Sequence, residues 1–241
     1  MWNKRVNEKE MRKDLKKSLE ELKTDYIDIY MLHRDDLDTE VAVAVETFNA
    51  MHEEGSIGAF GASNWTHTRI EEANEYAYKH NLIPFSVSSP NFCLARQVED
   101  PWGGGCVNIC GPENQAARAW YEKNQMPVIA YASLGRGFFS GRMKSEYADH
   151  AGDYLDSFAM TGYACSDNFE RLRRCEIIAE KHGVTVAQIA MNWIFSHPLN
   201  IFAIASMSKA DRMKANREAL LLKLSNEEIA YLALETPEFC G

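Results

Sequence analysis

Short apolar runs alternate along the whole chain with longer segments of helical period, and this alternation limits the fold more than any other feature. Tyr26–Leu32, Ile57–Ala62, Pro84–Ser88, Val128–Tyr131 and Ile201–Ala205 read as strands. Runs so continuously apolar match parallel strands covered on both faces. Between them, helices are expected over 7–22, 40–53, 67–80, 113–124, 168–182, 186–195 and 209–221, with a last one opening after Ser225. Asn7 with Glu10, Thr185 with Gln188 and Ser225 with Glu228 have the spacing of capping boxes. In such a box each side chain satisfies an otherwise orphaned N–H of the first helical turn. His80 and His182 stand beside expected helix C-termini, where an imidazole complements the dipole or caps carbonyls.

Strands and helices in strict alternation imply an α/β fold built on a parallel sheet, either open and doubly wound or closed into a barrel. A (β/α)8 TIM barrel needs eight strands and about 250 residues. Five strands are visible in 241 residues, and a helix precedes the first. The expectation is an incomplete barrel of about five strand-helix units, unless the pattern hides further strands. No linker composition or internal repeat divides the sequence, so residues 1–241 read as one domain. Two connections are long: 96–112, with Pro101-Trp102-Gly103-Gly104-Gly105, and 135–166. Loops of that length are usually functional or mobile. Their aromatics, Trp102, Phe138, Phe139 and Tyr154, either line a pocket or pack.

Several function classes are excluded at this level. The formal net charge is −9, which argues against nucleic-acid binding. No apolar run approaches the ~18 residues that cross a bilayer, and the first residues lack the apolar stretch of a signal peptide. Six cysteines in a chain this long read as reduced thiols of a cytoplasmic protein. Cys106 and Cys110 have neither metal-ligand spacing nor a supporting His pair, so no metal is expected.

The candidate chemistry lies at the C-terminal ends of the strands, where parallel α/β folds place their sites. The first strand runs into His33-Arg34-Asp35-Asp36, which is either a site or a solvated loop. The second runs into Ser63-Asn64-Trp65, where Ser63 and Asn64 hold a polar ligand, or Asn64 or Thr66 caps the next helix. The fourth runs into Tyr131-Ala132-Ser133-Leu134-Gly135-Arg136-Gly137, with an aromatic ring suited to stacking and an arginine suited to phosphate. The fifth runs into Ser206-Met207-Ser208-Lys209 and, further on, Arg212 and Asn216. Hydroxyls and cations at a helix N-terminus favour an anion, most naturally phosphate. The three glycines 103–105 lack dinucleotide-fingerprint spacing.

Taken in order, these motifs resemble the aldo-keto reductase family over nearly the whole chain. Ser18 to Arg34 resembles the family's helix-strand segment ending in a catalytic histidine. Gly61 to Trp65 resembles its Ser-Asn nicotinamide site, and Ala130 to Gly137 its strand with the stacking tyrosine. Ser206 to Asn216 resembles its segment for the adenosine end of NADP. The resemblance implies a (β/α)8 barrel that transfers hydride between NADP(H) and an aldehyde, ketone, sugar or the corresponding alcohol. It implies His33 as the group orienting the carbonyl and donating to its oxygen. Ser63 and Asn64 would bind the carboxamide, with Ser89 at or near the position of the family's glutamine. Tyr131 would stack on the nicotinamide, and Leu134, Gly135, Arg136 and Gly137 would follow the pyrophosphate. Ser206, Ser208, Lys209 and Arg212 would hold the adenosine phosphate, and Asn216 the adenine.

There are departures. Ser88-Ser89-Pro90 stands where the family has its glutamine, and Ala205-Ser206 where it commonly has Pro-Gly. The family's Asp, Tyr and Lys lie on units preceding the helix at 7–22, and no residue of this sequence matches them. The chain therefore looks like the later five-eighths of such a barrel. Its open edges are expected to self-associate, and a non-catalytic NADP-binding or assembly fragment is the alternative reading. A hydrolase using Asp35 and Asp36 is disfavoured, because neighbours on one loop rarely flank a scissile bond.

Overall fold

The computed structural model describes residues 5–206 and 210–237. Five parallel strands form one sheet in chain order: β1 (Ile27–Leu32), β2 (Ile57–Ser63), β3 (Val87–Ser89), β4 (Val128–Ala130) and β5 (Ile201–Ala203). Register is carried by Ile27 opposite Ile57, Gly61 opposite Val87, Ser88 opposite Val128, and Val128 opposite Ile201. The helices are α1 (Glu8–Leu22), α2 (Val41–Glu53), α3 (His67–Lys79), α4 (Gln115–Asn124), α5 (Ser157–Tyr163), α6 (Ser166–His182), α7 (Val186–Phe195), α8 (Ala210–Ala219) and α9 (Asn226–Leu232). The fold is thus α/β with a parallel sheet, as the alternation implies. No described helix is long and apolar enough to cross a membrane.

Aromatic packing ties the first half together. Phe48 of α2 stacks on Phe60 of β2 at 5.1 Å, and Trp65 meets Phe85 edge-on at 5.4 Å. Rings so packed add about 0.5–1.5 kcal/mol per pair beyond their area burial. The sheet is not covered evenly. Among the described residues β1 pairs only with β2 and β5 only with β4, and Ile29 (49%) and Phe202 (57%) are exposed. The continuous apolar runs of those two strands therefore do not mark coverage on both faces.

Other local expectations are corrected. The third strand is the short Val87–Ser89 rather than Pro84–Ser88, because Asn74 holds Phe85 by its N–H and carbonyl outside the ladder. Asn7 caps α1 by accepting from Glu10 N–H, but the Glu10 carboxylate pairs with Arg5 and leaves a half box. The boxes of Thr185 with Gln188 and Ser225 with Glu228 are complete. Thr66, not Asn64, caps α3. His80 bonds the Tyr76 carbonyl at its helix end, whereas His182 turns to Glu228 at 2.7 Å and links α6 to α9. The stretch 135–166 is not structureless: it holds 3-10 turns over 145–153 and then α5.

Arg174 of α6 makes a second link. Its guanidinium donates to the carbonyls of Tyr231 (2.7 Å) and Thr236 (2.6 Å) and lies 4.3 Å from the Tyr231 ring. Glu170 holds it from below at 2.7 Å and also takes a forked pair from Arg173. Arg173 first and then Arg174 pull the Glu170 carboxyl from 4.5 down to about 2. A depressed folded-state pKa gives stability that is complete above the unfolded value and lost as pH falls through the folded one. Wild-type stability should therefore drop between about pH 4.5 and pH 2. Glu170→Gln should flatten part of that drop in thermal unfolding at pH 7 against pH 3. An equal drop in both proteins would remove the pair from the acid response.

Candidate active site

The strand C-termini end on one face, and the loops that follow enclose two adjoining hollows there. The first, of about 470 Å3, is lined by His33, Ser63, Asn64, Ser89, Tyr131 and Ile204, together with Trp102 and Cys106. The second, of about 600 Å3, is lined by Leu134, Arg136, Gly137, Ser206, Arg212 and Asn216 and shares Ile204 with the first. Residues far apart in the sequence thus meet in the two groups that their motifs predict. Gly135 does not line either hollow; it is buried beneath Phe138 and Phe139. Ser208 and Lys209 lie outside the described residues.

Asn64 organises the first hollow. Its backbone takes the left-handed conformation (φ 59°), which lets its amide turn inward. The amide donates to the His33 carbonyl (3.0 Å) and to Ser63 Oγ (3.1 Å). Its oxygen accepts from Tyr131 OH (2.7 Å) and Val107 N–H (3.1 Å). Ser63 Oγ donates in turn to the Ser89 carbonyl (2.8 Å), and Ser89 Oγ to the Ile129 carbonyl (2.7 Å). The ends of β1, β2, β3 and β4 are thereby locked side by side. Ser89 lines the hollow, and its hydroxyl donates to the neighbouring strand. His33 is exposed, and among the described residues its imidazole has no hydrogen-bond partner.

Tyr131 is mostly buried. Desolvation, and then the Cys106 thiol beside it, push its phenol far above the usual range, so it stays protonated and keeps its bond to Asn64. Burial likewise pushes the Cys106 thiol up, against the opposing pull of Arg34, whose Nη1 lies 2.7 Å from the sulfur. The Arg136 side chain is engaged: it pairs with Asp156 at 2.7 Å and lies over the rings of Trp102 and Phe158. Arg212, on α8, lines the second hollow beside Ser206.

A dinucleotide fits this arrangement in outline. One hollow offers an aromatic ring and amide groups, the other hydroxyls and cations, and the two adjoin at Ile204. At the nicotinamide end the fit requires an exchange, since the Asn64 oxygen already accepts from Val107 and Tyr131. Of the loop aromatics Trp102 lines the hollow; Cys106 in its wall and Val107 on Asn64 carry no sequence expectation. The signal was present in the unusual run of glycines 103–105. Phe138 and Phe139 are core residues, and Tyr154 stacks on Tyr147 at 4.6 Å.

The model of the "Aldo/keto reductase family" matches residues 1–233. The chain belongs to that family. Among curated aldo/keto reductase relatives, the "Probable aryl-alcohol dehydrogenase AAD4" of Saccharomyces cerevisiae is 24% identical over 224 residues. That alignment takes in 89% of this chain and 61% of the relative. "Norsolorinic acid reductase" of Aspergillus flavus is 26% identical over 226 residues, 92% of this chain and 51% of its own. The chain therefore spans between half and two thirds of these relatives. A crystal structure of the thermostable aldo-keto reductase Tm1743 with the inhibitor epalrestat has a TM-score of 0.67 and 22% identity. It covers 95% of this chain and 67% of its own, and so agrees in fold.

Proposed function

We propose that this protein is an oxidoreductase that moves hydride between NADP(H) and a carbonyl or alcohol substrate. The observation that carries the reading is the meeting of His33, Ser63, Asn64 and Tyr131 in one hollow that adjoins the hollow of Arg136, Ser206, Arg212 and Asn216. Bound nicotinamide would supply the hydride. The His33 imidazole then orients the carbonyl and donates to its oxygen as negative charge develops there, a role worth about 10²–10³ in rate for a well-placed donor. Tyr131 offers its ring as the flat wall for the nicotinamide, and Ser63 and Asn64 offer hydroxyl and amide to the carboxamide. Leu134 and Gly137 line the path of the pyrophosphate. Arg212, with Lys209 and Ser208, is assigned to the adenosine phosphate, which favours NADP over NAD; Asn216 is assigned to the adenine. The sheet is read as part of a (β/α)8 barrel, and the protein as cytoplasmic.

One observation favours a second reading, in which the chain binds NADP or assembles without turnover. Among the described residues β1 and β5 each pair on one side only and carry the exposed apolar residues Ile29 and Phe202. Self-association through those edges belongs to this reading.

Fluorescence titration of the 241-residue chain with NADPH and NADH tests the first claim. NADPH is expected to bind more tightly. Arg212→Ala should weaken NADPH at least tenfold more than NADH, since only NADPH carries the 2′-phosphate. Equal loss for the two would overturn the assignment of Arg212, and no saturable binding of either would overturn the reading. Consumption of NADPH with a reactive aldehyde then separates the enzyme from the binding protein.

A further inference from the structure

Two buried thiols take no part in the site described above. Cys93, in the chain after β3, and Cys110, in the chain before α4, are both free and fully buried, and neither lines either hollow. Their sulfurs stand 3.9 Å apart, in contact with each other. Three bonds hold the two segments together. Asn91 N–H donates to the Val107 carbonyl (2.8 Å), Ile109 N–H to the Asn91 carbonyl (2.9 Å) and Cys93 N–H to Cys110 Sγ (3.3 Å). The backbone on both sides thus keeps the sulfurs facing one another.

The two thiols are not equivalent. Burial, and then the neighbouring Cys110, push the Cys93 thiol well above its usual range, so it stays protonated. Cys110 is surrounded by donors. Its sulfur takes the Cys93 N–H, and Arg118 Nη1 donates to the carbonyls on either side of it, Ile109 (2.7 Å) and Gly111 (2.5 Å). N–H donors and a nearby guanidinium favour a thiolate, the form of cysteine that reacts. Burial keeps bulky reagents out and leaves a small oxidant such as hydrogen peroxide, which is close to water in size.

We propose that Cys93 and Cys110 are an oxidative modification site that takes hydrogen peroxide and closes to a reversible disulfide. The Cys110 thiolate attacks one peroxide oxygen and the O–O bond breaks. Cys110 becomes a sulfenic acid, and the leaving hydroxide takes up the proton that Cys110 gave up. The Cys93 sulfur then attacks the Cys110 sulfur. The S–S bond forms, and the sulfenic oxygen leaves as water with the Cys93 proton. Two electrons pass from the sulfurs to the peroxide, and two waters are produced. A small dithiol reverses the change by exchange. The bond ties the chain after β3 to the loop whose Val107 N–H holds Asn64. The site does not depend on hydride transfer, and it stands or falls apart from the reductase reading.

The test is peptide mapping of the full chain after hydrogen peroxide, with free thiols blocked in denaturant before digestion. A peptide joined through Cys93 and Cys110 should appear, and dithiothreitol should remove it. Tm should rise by at least about 3 °C on oxidation, because the bond closes a loop in the unfolded chain. Dimedone, which captures sulfenic acids, should label Cys110 in Cys93→Ser and leave Cys93 unlabelled in Cys110→Ser. Three results in the wild type would each overturn the inference: no joined peptide, a peptide joining either thiol to the partly exposed Cys106 or Cys165 instead, or an unchanged Tm after joining. Dimedone on Cys93 rather than Cys110 would overturn the assignment of the attacking thiol.

Discussion

Gly61→Ala should leave little folded protein. Gly61 lies in β2 opposite Val87 of β3, and an added Cβ would stand 1.8 Å from the Val87 carbonyl oxygen and 2.8 Å from its carbon. These are backbone atoms and cannot rotate aside. On its other flank Gly61 pairs with Met31 of β1, so β2 cannot shift to make room. Strands β2 and β3 would have to part at the point where Ser63, Asn64 and Ser89 interlock. The expected loss is about 3–5 kcal/mol, at the severe end for one substitution and comparable with a whole domain's margin of about 5–15 kcal/mol. Gly152→Ala is the control. It has open space around its Cβ and an ordinary φ, and should fall within about 0.5 kcal/mol of wild type. Urea midpoints for the three proteins decide the matter; a Gly61→Ala loss below about 1 kcal/mol would contradict the register of β2 on β3.

The second large effect concerns catalysis. Under the proposed NADPH-dependent carbonyl reduction, His33→Ala should lower kcat/KM by about 10²–10³-fold, the usual cost of removing a donor to a developing oxyanion. The substitution is clean. The bond that places position 33 runs from Asn64 to its backbone carbonyl, which alanine keeps, and the imidazole is exposed. NADPH affinity should therefore stay within about threefold of wild type, so the loss appears in turnover rather than in cofactor binding. An unchanged rate would remove His33 from the reaction. A matching loss of NADPH affinity would make it a cofactor residue instead.

The sheet and the gathering of the candidate residues at one end of it were legible in the sequence because both depend on periodicity and on strand ends. Runs such as Ile57–Ala62 are too apolar and too short for anything but buried strands, and His33, Ser63, Asn64 and Tyr131 each follow one. The same reasoning erred on coverage. An apolar run reports what a strand is suited to pack against, not whether a neighbour is present, and Ile29 and Phe202 are exposed. Bonding partners were not legible either. Asn64 reads as a polar ligand or a helix cap, yet it stands in a left-handed turn with both amide groups engaged by four partners. Arg136 reads as a phosphate ligand, yet it is paired with Asp156, twenty residues on. Contacts between loops distant in the chain leave no local pattern. Trp102 fell between the two cases: its glycines mark a turn, but only the fold brings that turn to His33.

The strand order has a consequence for how the chain folds. Every strand lies beside its neighbours in the chain, so no pairing skips over a strand. The pairing of β1 with β2 closes across α2 alone, and that of β2 with β3 across α3. Closures of this length carry a modest entropy cost, and such short sequence separations favour rapid pairing. The last pairing differs, since Val128 meets Ile201 only after α5, α6 and α7 have been laid down. During synthesis the half bearing His33 and Asn64 can assemble as it emerges. The pairing that brings in the half bearing Arg212 spans the longest separation of the four, and closures of that length are the slower ones.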